Sequence, residues 1–191
     1  NNMVKLKIIP EYLRDQLIEE YKEIKRKYIL NEWAPGELNA GRFAEVLLRI
    51  FQFLLGDKVV PFGTEITPPE KNKLINRVIN APTIDEHVRQ KTTALCRLLL
   101  DFRNNRDVAH IGGFNANHMD ANLMMSCSKW ILCEMIRVFG DYSMDESESI
   151  VADINIKEFP AIIEINGEQF ITKSNLTSEQ EILTLLYKNT D

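Results

Sequence analysis

Hydrophobic residues recur at helical spacing along most of the chain and shift to a strand-like pattern near its end. Leu13, Leu17, Tyr21, Ile24 and Tyr28 share one side of a charged stretch at residues 10–30, which predicts an amphipathic helix. Trp33-Ala-Pro-Gly36 is expected to break it. Asn39 then reads as the cap of a second helix to about residue 55, closed by Gly56. Phe43, Val46, Leu47, Ile50, Phe51, Leu54 and Leu55 give that helix the broad apolar stripe of a central bundle element. A Pro- and Gly-containing connector at 58–69 leads to a shorter helix at 71–79. Thr83 or Asp85 opens the next, which runs to about Phe102 with Val88, Leu95, Leu98 and Leu99 inward. Asn115 or Asn117 caps a long helix that Gly140 closes, with Leu123, Cys127, Trp130, Ile131, Met135 and Val138 expected in the core. Residues 145–156 predict one more helix.

The tail changes character. Residues 161–165 and 169–172 are β-rich and flank Asn166-Gly167, a strong hairpin signal. Thr177-Ser-Glu-Gln180 opens a last short helix, to about Tyr187, in capping-box style. The expected fold class is mainly α: a bundle of about five to six helices, then a small C-terminal β-hairpin and a short helix. The expected division is a bundle at 1–157 and an appendage at 158–191. The appendage reads equally as a self-contained hairpin packed on the bundle or as the start of a further module.

Composition narrows the chemistry. The 191 residues are 45% hydrophobic and 27% charged, ordinary for a globular chain, with a net charge of -5. That balance argues against a protein that tracks duplex DNA by its phosphates, while leaving room for a local site that grips one or two. Cys96, Cys127 and Cys133 fit no zinc pattern and read as buried apolar residues of a reducing compartment. No apolar run approaches bilayer length, and Met3, after Asn1-Asn2, reads as the natural start with no signal peptide. A cytoplasmic protein with no membrane partner is therefore expected. Three scattered histidines without paired carboxylates predict no metal site and no cofactor.

The most suggestive segment runs Arg103-Asn-Asn-Arg-Asp-Val-Ala-His110-Ile-Gly-Gly113, between two apolar helices. Arg103 and His110 bracket six residues. An imidazole can take the proton of a ribose 2′-hydroxyl or give one to the leaving oxygen, and a guanidinium can neutralise charge growing on phosphorus. Asn104 can orient phosphate or imidazole, Arg106 can add a phosphate contact, and Gly112 and Gly113 permit close backbone approach. Glu45 on the second helix is a candidate to orient Arg103 or His110, and Asp120 is a candidate substrate contact. The plainer roles are those of a helix-ending arginine on the last carbonyls, an exposed Glu45, Asp120 beside a helix N-terminus, and surface histidines at His87 and His118. Arg106 can equally serve as an ion-pair partner of Asp107 or Asp120.

On Arg103, Asn104 and His110 the chain resembles the HEPN superfamily, whose ribonuclease signature is an arginine, often a polar residue, then four to six residues and a histidine. The resemblance implies a helical bundle, a homodimer with two motifs facing each other, metal-independent RNA cleavage, and a role in toxin–antitoxin or antiviral defence. Many domains of that superfamily are noncatalytic scaffolds. A second resemblance, to uncharacterised bacterial proteins with a helical domain and a following winged-helix segment, rests on a wider set of residues. These are Gly41-Arg42-Phe43 with Glu45, Pro61-Phe62-Gly63, Arg103-Asn104 with Arg106 and His110, then Asn117, Asp120-Ala121, Trp130, Glu134 and Arg137. This resemblance covers most of the chain and names no activity; the alternative function is a noncatalytic HEPN-like dimerisation or regulatory module attached to a nucleic-acid-binding winged helix.

Overall fold

Ala40, Phe43, Ala44, Leu47, Leu48, Ile50 and Phe51 have no exposed surface, so the helix that carries them is enclosed on almost every side. A computed structural model describes residues 6, 8–105, 117–154, 162–165, 168–171, 177–180 and 182–183, with only the backbone at 34, 35, 37, 103–105 and in the two strands. Its helices are α1 (Glu11–Ile29), α2 (Trp33–Leu54), α3 (Pro68–Ile79), α4 (Thr93–Asn105), α5 (His118–Gly140) and α6 (Met144–Ala152). The chain is mainly helical, and α1, α3, α4 and α5 all pack on α2. Among the described residues no helix is long and apolar enough to cross a membrane.

The break between α1 and α2 falls earlier than the sequence predicts. Asn31, at φ 58°, takes the left-handed position. The Asn31 N–H donates to Tyr28 O (3.2 Å) and the Glu32 N–H to Lys27 O (2.9 Å), which closes α1 with paired reverse bonds. Then α2 starts at Trp33 and carries Pro35 and Gly36 in its first turn. Proline is tolerated there because the first N–H groups of a helix have no intrahelical acceptor. Asn39 is thus not a cap. Its buried amide donates to Glu20 Oε2 on α1 (3.0 Å), while Gln16 holds Glu20 Oε1 (2.9 Å). At the far end, Gly56 at φ 73° closes α2 as expected, with Asp57 N–H on Gln52 O at 2.9 Å.

Two further departures come from α4 and α5. A π-helical segment, Val88–Thr92, precedes α4 and inserts one extra residue into the helical path. The inward face therefore shifts. Val88, Thr92, Thr93, Cys96, Leu99 and Leu100 are buried, whereas Leu95 and Leu98 are half-buried. On α5, Met124, Cys127, Ile131, Leu132, Met135 and Ile136 are buried, but Leu123 and Trp130 are 42% and 38% exposed. The expectation of Leu123 and Trp130 in the core is corrected: α5 is apolar around most of its circumference, so spacing alone could not choose the buried arc. Nor does Gly140 leave the helix. It is buried within α5, and Asp141 takes the left-handed turn at φ 63°.

The chain divides into two units, Asn1–Ile154 and Asn155–Asp191. In the second, β1 (Ile162–Ile165) pairs antiparallel with β2 (Glu168–Ile171), Ile162 opposite Ile171. The Asn166-Gly167 turn lies outside the described residues. The Thr177 N–H donates to Gln180 Oε1 (3.0 Å) and the Gln180 N–H to Thr177 Oγ1 (3.3 Å), at the start of the helical residues 178–180 and 182–183.

Asn31→Ala should lower stability by about 1 kcal/mol, because a Cβ without a compensating polar side chain disfavours the left-handed position, while Asn31→Gly should not. Urea unfolding of the three proteins reads the difference. Acid should also weaken the fold at its caps. Hydrogen bonds from Thr67 hold Glu70 below its ordinary pKa, and those from Ser143 do the same for Glu146. A depressed carboxylate contributes stability above its unfolded pKa and loses it as pH falls through the folded one. The thermal midpoint should therefore fall between about pH 5 and about pH 3, less steeply in Glu70→Gln/Glu146→Gln, whose amides keep the capping geometry without titrating.

Candidate functional site

The segment singled out by sequence is set between two core helices. On its N-terminal side α4 continues through Arg103, Asn104 and Asn105, a turn further than the pattern suggests, since neither Gly nor Pro stops it. Arg103 and Asn104 are thus helical in backbone. Their side chains, and all of Arg106, His110, Gly112 and Gly113, lie outside the described residues. On the C-terminal side Asn117, at φ -139° and ψ 168°, caps α5. Its Oδ1 accepts from the Asp120 N–H (3.0 Å), and its Nδ2 donates to Asp120 Oδ2 (2.7 Å). Asp120 is 3% exposed, so its carboxylate sits inside the first turn and braces the cap.

Glu45 lies on α2, beside the point where Cys96 Sγ reaches Ala44 O at 3.7 Å. Its carboxylate meets Lys71 of α3 at 3.4 Å, which ties those two helices together. Arg103 is seven residues beyond Cys96 on α4, about 10 Å along a helix axis. Burial pushes the Cys96 thiol up to about 12, so it stays protonated and unreactive. Cys96, Cys127 and Cys133 are all free.

Sequence reasoning missed two arrangements. Tyr28, Trp33 and His118 form a cluster of rings: the centroids of Tyr28 and Trp33 are 5.9 Å apart, those of Tyr28 and His118 5.7 Å, and those of Trp33 and His118 5.4 Å. The Tyr28 hydroxyl and His118 Nε2 are 3.1 Å apart. His118 is exposed, as its reading as a surface residue expects, and its ring contacts also fasten the start of α5 to the α1–α2 corner. A cleft beneath, lined by Ile24, Tyr28, Trp33, Ala121 and Met124, has room for about one water molecule. No local pattern links residues 28, 33 and 118, so only the fold reveals the cluster.

The second arrangement centres on Arg49, 3% exposed. Its guanidinium donates to Val60 O (3.0 Å), Pro61 O (3.1 Å), Thr64 O (2.8 Å) and, within α2, Glu45 O (3.0 Å). Phe62 covers it, with the ring centroid 5.3 Å away. An arginine inside the apolar run Leu47-Leu-Arg-Ile50 was the available signal. His87, also read as a surface residue, has an exposed ring whose Nδ1 is 3.6 Å from Glu134 Oε1, and Arg137 grips the same carboxylate at 2.6 Å.

Among the described residues no group of three or more His, Cys, Asp or Glu side chains is placed to hold a metal ion. Comparison with protein-family models, with curated proteins and with solved structures finds no match.

Asn117→Ala should remove the α5 cap and lower stability by about 1 kcal/mol, the ordinary worth of such a residue. A thermal-unfolding comparison with wild type checks this, and an unchanged midpoint would show that Asn117 contributes nothing to holding the segment's C-terminal end.

Proposed function

We propose that this chain is a metal-independent endoribonuclease of HEPN type, working as a homodimer in a defence or stress-response system. One observation carries the reading. Both ends of the 103–117 segment are set in core helices, with Leu99 and Leu100 buried on α4 and Asp120 and Ala121 buried on α5. A segment tethered so can hold reacting groups in fixed relation, which is most of what metal-free phosphodiester cleavage asks of a protein.

The chemistry follows from the residues. The ribose 2′-oxygen attacks phosphorus, the bond to the 5′-oxygen breaks, and a 2′,3′-cyclic phosphate forms. His110 moves the proton, from the 2′-hydroxyl or to the leaving oxygen. Arg103 neutralises the charge that develops on the phosphoryl oxygens, and Asn104 and Arg106 orient the phosphate. Asp120, fixed by Asn117, braces the start of α5, and Glu45, paired with Lys71, ties α2 to α3. Two copies facing each other would supply two of each group.

The second unit favours one other reading. Its paired strands and the helical turn capped at Thr177 suit a small nucleic-acid-binding wing, with the bundle as a noncatalytic dimerisation module. A chain that binds nucleic acid without cutting it, and stops binding when residues 158–191 are removed, would favour that reading.

RNA cleavage should persist in EDTA, leave 2′,3′-cyclic or 3′-phosphate ends, and spare DNA of the same sequence. His110→Ala should slow cleavage ~10²–10⁴-fold, and Arg103→Ala should harm the same step, both without loss of thermal stability. Unchanged activity in both variants, or activity abolished by EDTA, refutes the mechanism.

A further inference from the structure

Tyr28, Trp33 and His118 bring three aromatic rings together where α1 ends and α2 and α5 begin. His118 is exposed, and Tyr28 and Trp33 are half-buried, so each keeps part of its surface open to solvent. The 3.1 Å contact between the Tyr28 hydroxyl and His118 Nε2 holds the exposed ring in place before any ligand arrives. Apolar surface continues next to the rings in the chain, with Ile29 50% exposed after Tyr28 and Met119 72% exposed after His118. One turn before Tyr28, the Lys25 ammonium donates to Ile154 O (3.0 Å) and meets no carboxylate among the described residues.

Open ring surface with an unneutralised cation one turn away suits a nucleotide: the base stacks on the rings and a phosphate takes the charge. Other occupants fit this geometry less well. A cage for a methylated ammonium sets its rings apart around the ion, whereas these centroids are 5.4–5.9 Å from one another and the rings touch. An apolar side chain of a protein partner needs a pocket, and the cleft beneath the rings has room for about one water molecule.

We propose that the ring cluster is a stacking platform for an unpaired base of single-stranded RNA, with Lys25 on a flanking phosphate. Paired bases are held inside the helix and offer no face to stack on, so the platform takes loops, ends and open strands. His118 directly follows Asn117, where the 103–117 segment returns to the core, and is no more than about 29 Å of chain from His110. A strand stacked here therefore lies within a few nucleotides of the proposed catalytic residues. This deepens the nuclease reading and rests on it for the identity of the strand: the substrate is RNA with unpaired bases.

The test measures binding apart from cleavage, on the full chain with fluorescein-labelled 2′-O-methyl oligoribonucleotides, whose blocked 2′-oxygen cannot attack. By anisotropy the single strand should bind. A duplex of the same sequence, and an abasic strand with the same phosphates, should bind roughly tenfold more weakly or worse. Trp33→Leu should weaken single-strand binding roughly 5- to 150-fold, the worth of one stacked base, while Trp33→Phe keeps most of it. Should Trp33→Leu fail to fold by circular dichroism, His118→Ala, at an exposed ring, serves in its place. The chain has two tryptophans, so Trp130→Phe leaves Trp33 as the sole reporter, and its fluorescence should be quenched by the single strand and not by the abasic one. No binding of the single strand, equal affinity for the abasic strand, or unchanged affinity in Trp33→Leu overturns the platform. A chain with all these properties that cuts no RNA keeps the platform and loses the nuclease. One that cuts RNA yet binds the abasic strand as tightly keeps the nuclease and loses the platform.

Discussion

The enclosure of α2 is the constraint on which the fold turns. A helix with buried residues around nearly its whole circumference cannot be covered by one neighbour, so α1, α3, α4 and α5 must each take a share of it. Each large side chain so enclosed contributes roughly 1.5–3 kcal/mol of transfer free energy, which makes α2 the element that others are selected to fit. Polar residues admitted to this interior act as pins. Glu20 and Asn39 fix α1 against α2, and Arg49 fixes the connector to α3.

The bundle was legible because helical periodicity is a property of single segments. The stripes from Leu13 to Ile24 and from Phe43 to Phe51 bury as the spacing demands. Errors arose where a local rule met a tertiary one. Pro35 looks like a helix breaker until Asn31 is seen to have turned the chain already. Leu95 and Leu98 look inward until the π-helical residue before them rotates the face. Trp130 looks like core because an apolar residue among apolar neighbours carries no mark of which side faces out.

The candidate site was legible to a different degree. The Arg103–His110 signature and the Asn117 cap are written in consecutive residues, and the cap forms as read. The ring cluster of Tyr28, Trp33 and His118 joins three places distant in sequence, so no window on the chain contains it. Asp120 shows how a candidate contact can also be a brace. Its carboxylate accepts from the residue that starts the helix, so its placement is inseparable from the cap.

Arg49 has a consequence for how this sequence can vary. The guanidinium reads only main-chain carbonyls at Val60, Pro61 and Thr64, and every amino acid has a carbonyl. The grip is therefore blind to the side chains it holds, and the connector can drift in sequence while keeping its path. Position 49 has no such freedom, because no other residue offers so many donors in one rigid plane. One residue inside the core thus carries the shape of a surface loop, and tolerance to substitution is lowest some distance from the loop whose form it protects.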